Sequence, residues 1–268
     1  MTKNFIEQNK QMVYDKVHQT VLDIDYHREQ NLNLSKSDMK EKVDLLINAL
    51  NNNYKYNKNR KTTKELKQEL LHLINSQNIE NSNNYIFVLD IQNGNVLVHN
   101  IKEFIGVSLR DKKDINEIST FQSKVDILKT KDSAFQRLFF EKPNEPNKQF
   151  EKIVYFKKFK PYNWIIGTGR YLDENDKKIK DNFIKKLNTI QTDLQNYLFI
   201  SRIDNFAGGD EFSTMLVMPN KKELIGKKIS DKQQDIKGKY YRKEYFEALK
   251  KNNETYVEYW YKKSNVTK

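Results

Sequence analysis

The run with the sharpest chemical content is Gly208-Gly209-Asp210-Glu211-Phe212. Paired glycines let a backbone approach a nucleotide, and adjacent carboxylates can hold a divalent cation. Gly167-Thr168-Gly169, after an apolar stretch, opens like a dinucleotide-binding turn. Position 172 is Leu172, where a third glycine is required, so that reading fails. His18, His27, His72 and His99 have no metal-ligand spacing among themselves, and no metal or cofactor is expected. Residues 155–160 (YFKKFK) interleave lysine and aromatics as an RNA-binding strand can. Cysteine is absent, which removes thiol catalysis, disulfides and Cys-based metal centres.

The 268 residues carry a net charge of +12, with 37% hydrophobic and 31% charged side chains. Such a charge favours nucleic acid, headgroups or small anions as partners. Here the lysines run from Lys3 to Lys268, mixed with Asp, Glu and Asn, which describes a solvated surface and not a nucleic-acid footprint. A basic nucleic-acid-binding protein is the rival reading, and it requires steeply salt-dependent affinity. No run approaches the ~18 apolar residues of a membrane span. Residues 1–12 lack the apolar core of a signal peptide.

The elements that would position any site divide by periodicity. Ile6, Val13, Val17, Val21 and Ile24 form one apolar stripe; Met39, Val43, Leu46, Ile47, Leu50 and Tyr54 repeat it at helical spacing. With no Pro or Gly before Gly94, this predicts a long helix to about Asn51. Thr62 and Glu65 form a capping-box pattern opening a shorter helix with Leu66, Leu70, Leu73 and Ile74 on one face. Strands are expected at 85–89, 95–99 (joined by the Asn93-Gly94 turn), 135–140, 153–159 and 164–171, with Pro143 and Pro146 in a loop. A connecting helix is expected over 174–195, and strand signals resume at 197–203.

That restart is an internal repeat. Residues 85–109 and 197–229 both open Tyr-aliphatic-Phe-aliphatic, pass a Gly-containing turn and close on a shared tail. The tails are Lys102-Glu103-Phe104-Ile105-Gly106 and Lys222-Glu223-Leu224-Ile225-Gly226. In this alignment the Gly208–Phe212 letters fall at the turn of the second copy. Those letters are the signature of diguanylate cyclases, the enzyme alternative. The upstream Asp-x-Asp-x-Phe setting of that family is absent, so the turn is favoured and no catalytic residue is assigned. The second copy reads as unfinished: residues 256–261 (YVEYWY) are expected to be a strand with an open edge, and nothing corresponding to 153–171 follows. The expectation is a piece of a longer protein.

Residues 152–174 (KIVYFKKFKPYNWIIGTGRYLDE) resemble the closing signature of Cache domains, the PAS-like extracytoplasmic sensors of chemoreceptors, histidine kinases and diguanylate cyclases. The long leading helix, the hairpin and the Ile-Gly tail follow in similar order. The resemblance implies an α+β fold: a long N-terminal helix, a PAS-like antiparallel-sheet Cache module and a second, C-terminally incomplete one. The divisions are 1–84 (helices), 85–173 (membrane-distal module), 174–196 (connecting helix) and 197–268 (truncated module). It further implies a non-enzymatic receptor in the periplasm or outside the cell. Its ligand would be a small carboxylate or amino acid, anionic or zwitterionic. Membrane anchorage would come from segments outside this chain, and two copies would pair through the long helix. In related modules the histidine ending the second strand, and the Lys and Tyr of a Lys-x-x-Tyr strand, lie near the ligand; His99, Lys152 and Tyr155 occupy those places. Lysine and tyrosine suit a carboxylate, yet residues three apart in a regular strand face opposite sides, so a bulge is needed for both to converge. Leu138 and Phe140 replace the Tyr and Trp common in the family. Arg137 beside them is either a bidentate carboxylate clamp or a surface arginine.

Overall fold

The computed structural model describes residues 3–79, 82–189 and 197–261. In chain order the helices are α1 (Lys3–Asn57), α2 (Thr63–Asn75), α3 (Gln122–Ile127), α4 (Leu172–Thr189) and α5 (Tyr241–Leu249). The strands are β1 (Ile86–Asp90), β2 (Val96–Val98), β3 (Ser133–Lys142), β4 (Glu145–Phe159), β5 (Trp164–Tyr171), β6 (Ile200–Ile203), β7 (Ser213–Val217) and β8 (Lys228–Ile229). Two compact units result: residues 27–179, and residues 1–26 with 180–268. The fold is α+β, as the patterning implied.

In the unit 27–179 an antiparallel sheet of order β2-β1-β5-β4-β3 carries the architecture. Alternation divides each strand between two cores. On one face Met39, Val43, Ile47 and Leu50 of α1 and Leu66, Leu70 and Ile74 of α2 pack against Ile86, Val88, Ile153, Tyr155, Trp164 and Ile166. On the other face Phe87, Leu89, Val154, Phe156 and Ile165 meet Leu109, Phe121 and Leu128 from the segment between β2 and β3. The α1 stripe continues past Asn51 to Asn57, because no breaker intervenes. Its first part, at Val13, Val17 and Val21, is about half exposed, unlike the buried stripe from Met39 onward.

Thr62 caps α2 as the capping-box pattern required: its side chain accepts from Glu65 N, and Glu65 Oε2 accepts from Thr62 N at 2.9 Å. Thr62→Ala should lower stability by about 1 kcal/mol, read as a reduced midpoint in urea unfolding. The turn at Pro161-Tyr162-Asn163 closes on Asn163 with φ +53 and delivers the chain into β5. One expectation changes: β4 begins at Glu145, so Pro146 lies in strand and not in a loop. A register shift at Glu141/Lys142 falls beside it, the kind of irregular strand start where a missing N–H is tolerated.

The other unit holds the sheet β6-β7-β8, with Phe212, Met215, Met218, Ile229 and Phe246 as its core. The repeat is visible in backbone hydrogen bonds. Gly106 N donates to Val96 O at 2.8 Å, and Gly226 N donates to Met215 O at 2.8 Å. Val107 N donates to Phe104 O and Lys227 N to Leu224 O, both at 3.0 Å, after matching 3-10 turns at Lys102–Phe104 and Lys222–Leu224. Residues 190–196 of the expected connecting helix lie outside the described residues. Residues 256–261 are not a strand. They are extended without a ladder: Tyr259 stacks on Tyr241 at 4.2 Å, and Trp260 N donates to Asp235 Oδ2 at 2.9 Å. The backbone bond from Ile236 N to Trp260 O at 3.4 Å does not build a ladder, and aromatic propensity alone makes no strand.

Candidate functional site

The sheet face opposite α1 encloses a cavity of about 30 Å³, about twice the ~10–15 Å³ that one water requires. Tyr85 lines it just before β1, β1 supplies Phe87 and Leu89, β3 supplies Leu138 and Phe140, and β4 supplies Lys152 and Val154. His99, following β2, and Leu109, Thr120 and Lys124 from the covering segment complete it. No carboxylate is among these residues.

Two lysines nevertheless face this apolar space. Lys152 is 2% exposed and Lys124 4%. Lys152 Nζ donates to Tyr85 Oη at 3.0 Å and to Tyr171 Oη at 3.5 Å, and it lies 4.1 Å from the Tyr85 ring centroid. Lys124 Nζ donates to the Thr120 carbonyl. Burial first, and then the charge of Lys124, lower the Lys152 ammonium to about 7 against the opposing pull of Glu174. Burial likewise lowers Lys124 to about 7 against the pull of Asp114. For His99, burial and then the charge of Lys152 bring the imidazole down to about 3, so it is neutral at ordinary pH. Its Nδ1 accepts from Ile101 N at 2.9 Å, which leaves Nε2 carrying the proton. The result is a largely apolar pocket with buried donors and no acceptor charge, a setting that favours a small anion.

Of the four residues singled out in the sequence, His99 and Lys152 therefore share a cavity, and Arg137 and Tyr155 do not. No bulge interrupts β4 between positions 152 and 155, so alternation holds. Tyr155 faces α1, where its Oη donates to Asp44 Oδ1 at 3.4 Å. Arg137 pairs with Ile153 on that same side, is exposed, and reaches Glu151 at 3.4 Å. Lys124, Tyr85 and Tyr171 were missed. Lys124 had a signal: with Phe121 and Leu128 it occupies one helical face, where a core residue belongs.

The Gly167-Thr168-Gly169 run has a structural role at this site. A Cβ on Gly167 would lie 2.5 Å from the Phe87 ring, and one on Gly169 would lie 2.7 Å from both Lys152 Cε and Val154 Cγ1. Thr168, pointing the other way, donates to Tyr85 O at 2.8 Å. The two glycines thus leave room for side chains that line the cavity. Gly169→Ala should displace Lys152 and cost about 1–3 kcal/mol from overpacking. The check is a lowered melting temperature together with loss of the response to small anions.

The Gly208–Phe212 letters occupy the loop joining β6 to β7. Gly208 and Gly209 have φ of +86 and +108, which the turn needs. Asp210 is tied to Ser230 Oγ at 3.2 Å and Lys232 Nζ at 3.0 Å. No cluster of His, Cys, Asp and Glu suited to a metal occurs among the described residues.

A family model described as a Cache domain matches residues 1–268. Among solved structures, a methyl-accepting chemotaxis protein from Vibrio parahaemolyticus is similar at 24% identity, over 57% of this chain and 99% of that one, with a TM-score of 0.47. A Cache chemosensory domain whose structure concerns carboxylic acid recognition matches at 21% identity over 53% and 97%, TM-score 0.47. A periplasmic sensor domain of a chemotaxis protein matches at 22% identity over 49% and 93%, TM-score 0.42.

Proposed function

Because this chain belongs to the Cache domain family, we propose that it is the extracytoplasmic sensing part of a transmembrane receptor and binds a short monocarboxylate. The observation that carries this reading is the pair of buried lysines facing an apolar cavity without a carboxylate. Buried charges are ordinarily paired, and an anionic ligand supplies the missing partner. The small volume disfavours long acids, and Leu138 and Phe140 give an apolar wall for a short chain. In this reading the first module, 85–173, is the sensing one, with Lys152, Lys124, His99 and Tyr85 as the ligand contacts.

A ligand shifts a receptor only by binding its two states differently. β4 is suited to that coupling, since its Lys152 and Val154 line the cavity while Ile153, Tyr155 and Lys157 between and after them face α1. Lys157 Nζ lies 2.7 Å from Asp44 Oδ1, and Arg170 of β5 lies 3.1 Å from Asp38. No helix among the described residues is long and apolar enough to cross a membrane. The exposed stripe of α1 is the surface along which a second copy would pair.

A thermal-shift screen with acetate, propionate, glycine and longer dicarboxylates tests the ligand class. Stabilisation by the short monocarboxylates, lost in Lys152→Met and Lys124→Met, is expected. Equal stabilisation of both variants would remove the site.

A further inference from the structure

Two primary amines face one small apolar cavity, each more than nine-tenths buried and neither paired with a carboxylate there. A lysine desolvated in an apolar pocket beside another cation gives up its proton readily, and its free amine is a nucleophile. Burial holds both Lys152 and Lys124 near about 7. An electrophile suited to such a space is small and becomes anionic on reaction, which supplies the negative partner the second amine lacks. Carbon dioxide meets both conditions.

We propose that Lys152 captures carbon dioxide as a carbamate, which makes CO2 a covalent ligand of the cavity; this rests on reading that cavity as the sensing site. The Nζ lone pair attacks the carbon of CO2, an N–C bond forms, and one C=O π pair moves onto oxygen. The proton released from Nζ passes to the free amine of Lys124. Two neutral amines and one CO2 become one carbamate anion and one ammonium, with no other reactant. Two buried amines are thereby converted into an opposite-charge pair, the form in which charge is tolerated inside a protein. Tyr85, 3.0 Å from Lys152 Nζ, and the Nε2–H of His99 are the hydrogen-bond donors available to the carbamate oxygens.

The test incubates the full chain with 13C-bicarbonate at about pH 7.5, alkylates it with a trialkyloxonium salt to trap carbamates, and maps the adducts by mass spectrometry. The expected result is an adduct on Lys152 on the order of a hundredfold above exposed lysines, which are almost wholly protonated at that pH. Saturating propionate should suppress it, and Lys124→Met should reduce it about tenfold by removing the proton acceptor. Absence of the Lys152 adduct, or an adduct confined to the N-terminus or to Lys124, overturns the proposal. A chain that responds to propionate yet gives no Lys152 adduct sinks the carbamate alone. An adduct in a chain that ignores every carboxylate sinks the carboxylate reading alone.

Discussion

Lys152→Met is expected to make the free chain more stable while abolishing its response to short carboxylates. Lys152 is almost wholly buried, its neighbours Tyr85 and Tyr171 offer hydroxyls and no charge, and Lys124 repels it. Methionine fills similar volume without the desolvation penalty, and replacing buried charge in this way stabilises by about 1–4 kcal/mol. The lost contact to a carboxylate should raise Kd at least tenfold, since a charge-assisted bond contributes about 1.5–3 kcal/mol. Urea unfolding near pH 6.5 and a propionate titration read the two effects. A variant that is less stable than the parent, or that binds propionate equally well, contradicts the assignment. The opposite signs matter, because damage to the fold would lower both quantities together.

The second large effect is a pH dependence set by the same two lysines. Unfolded, a lysine keeps its proton to about 10.4; folded, both are lowered to about 7. Between those values the unfolded chain binds more protons, so stability rises with pH across that window, by up to about 1.4 kcal/mol per unit for each lysine. Below about 7 the contribution is lost, because both buried amines are then charged. Ligand affinity runs the other way. A carboxylate needs the ammonium form, so affinity should be flat below about pH 7 and fall up to tenfold per unit per lysine above it. The other groups facing these amines do not mask the effect: His99 is already neutral, and burial raises Tyr85 and Tyr171. Glu174 and Asp114 supply opposing charge from outside the cavity. Comparison with Lys152→Met and Lys124→Met separates this slope from the general loss of the +12 charge. A stability that is flat between pH 7 and 9 in the parent would be incompatible with two uncompensated buried lysines.

Much of the scaffold was legible in the residues, because it rests on local rules. The Thr62/Glu65 box starts α2, and Pro161-Tyr162-Asn163 sets the start of β5 at Trp164. The repeated Lys-Glu-x-Ile-Gly tail forms the same 3-10 turn twice, at Lys102–Phe104 and Lys222–Leu224. What periodicity conveys is which residues face one way, not what covers them. Val17 and Val43 belong to equivalent stripes of α1, yet only Val43 is buried. The site was half legible. His99 and Lys152 line one cavity, whereas Tyr155 required a bulge that β4 does not contain. Lys124 escaped although it shares one helical face with the buried Phe121 and Leu128, because a lysine is ordinarily placed at the surface. Residues 256–261 show the converse: strand-favouring aromatics that form no ladder among the described residues.

As proposed above, Lys152 and Lys124 form an anion site that charges when its ligand enters. Isothermal titration of the full chain with propionate, at about pH 8 in two buffers of different ionisation enthalpy, measures it directly. At that pH most of both amines are neutral when the cavity is free, so binding is predicted to take up between one and two protons, and about none in the Lys124→Met, Lys152→Met double variant. Binding without proton uptake, or the same uptake in the double variant, would contradict it.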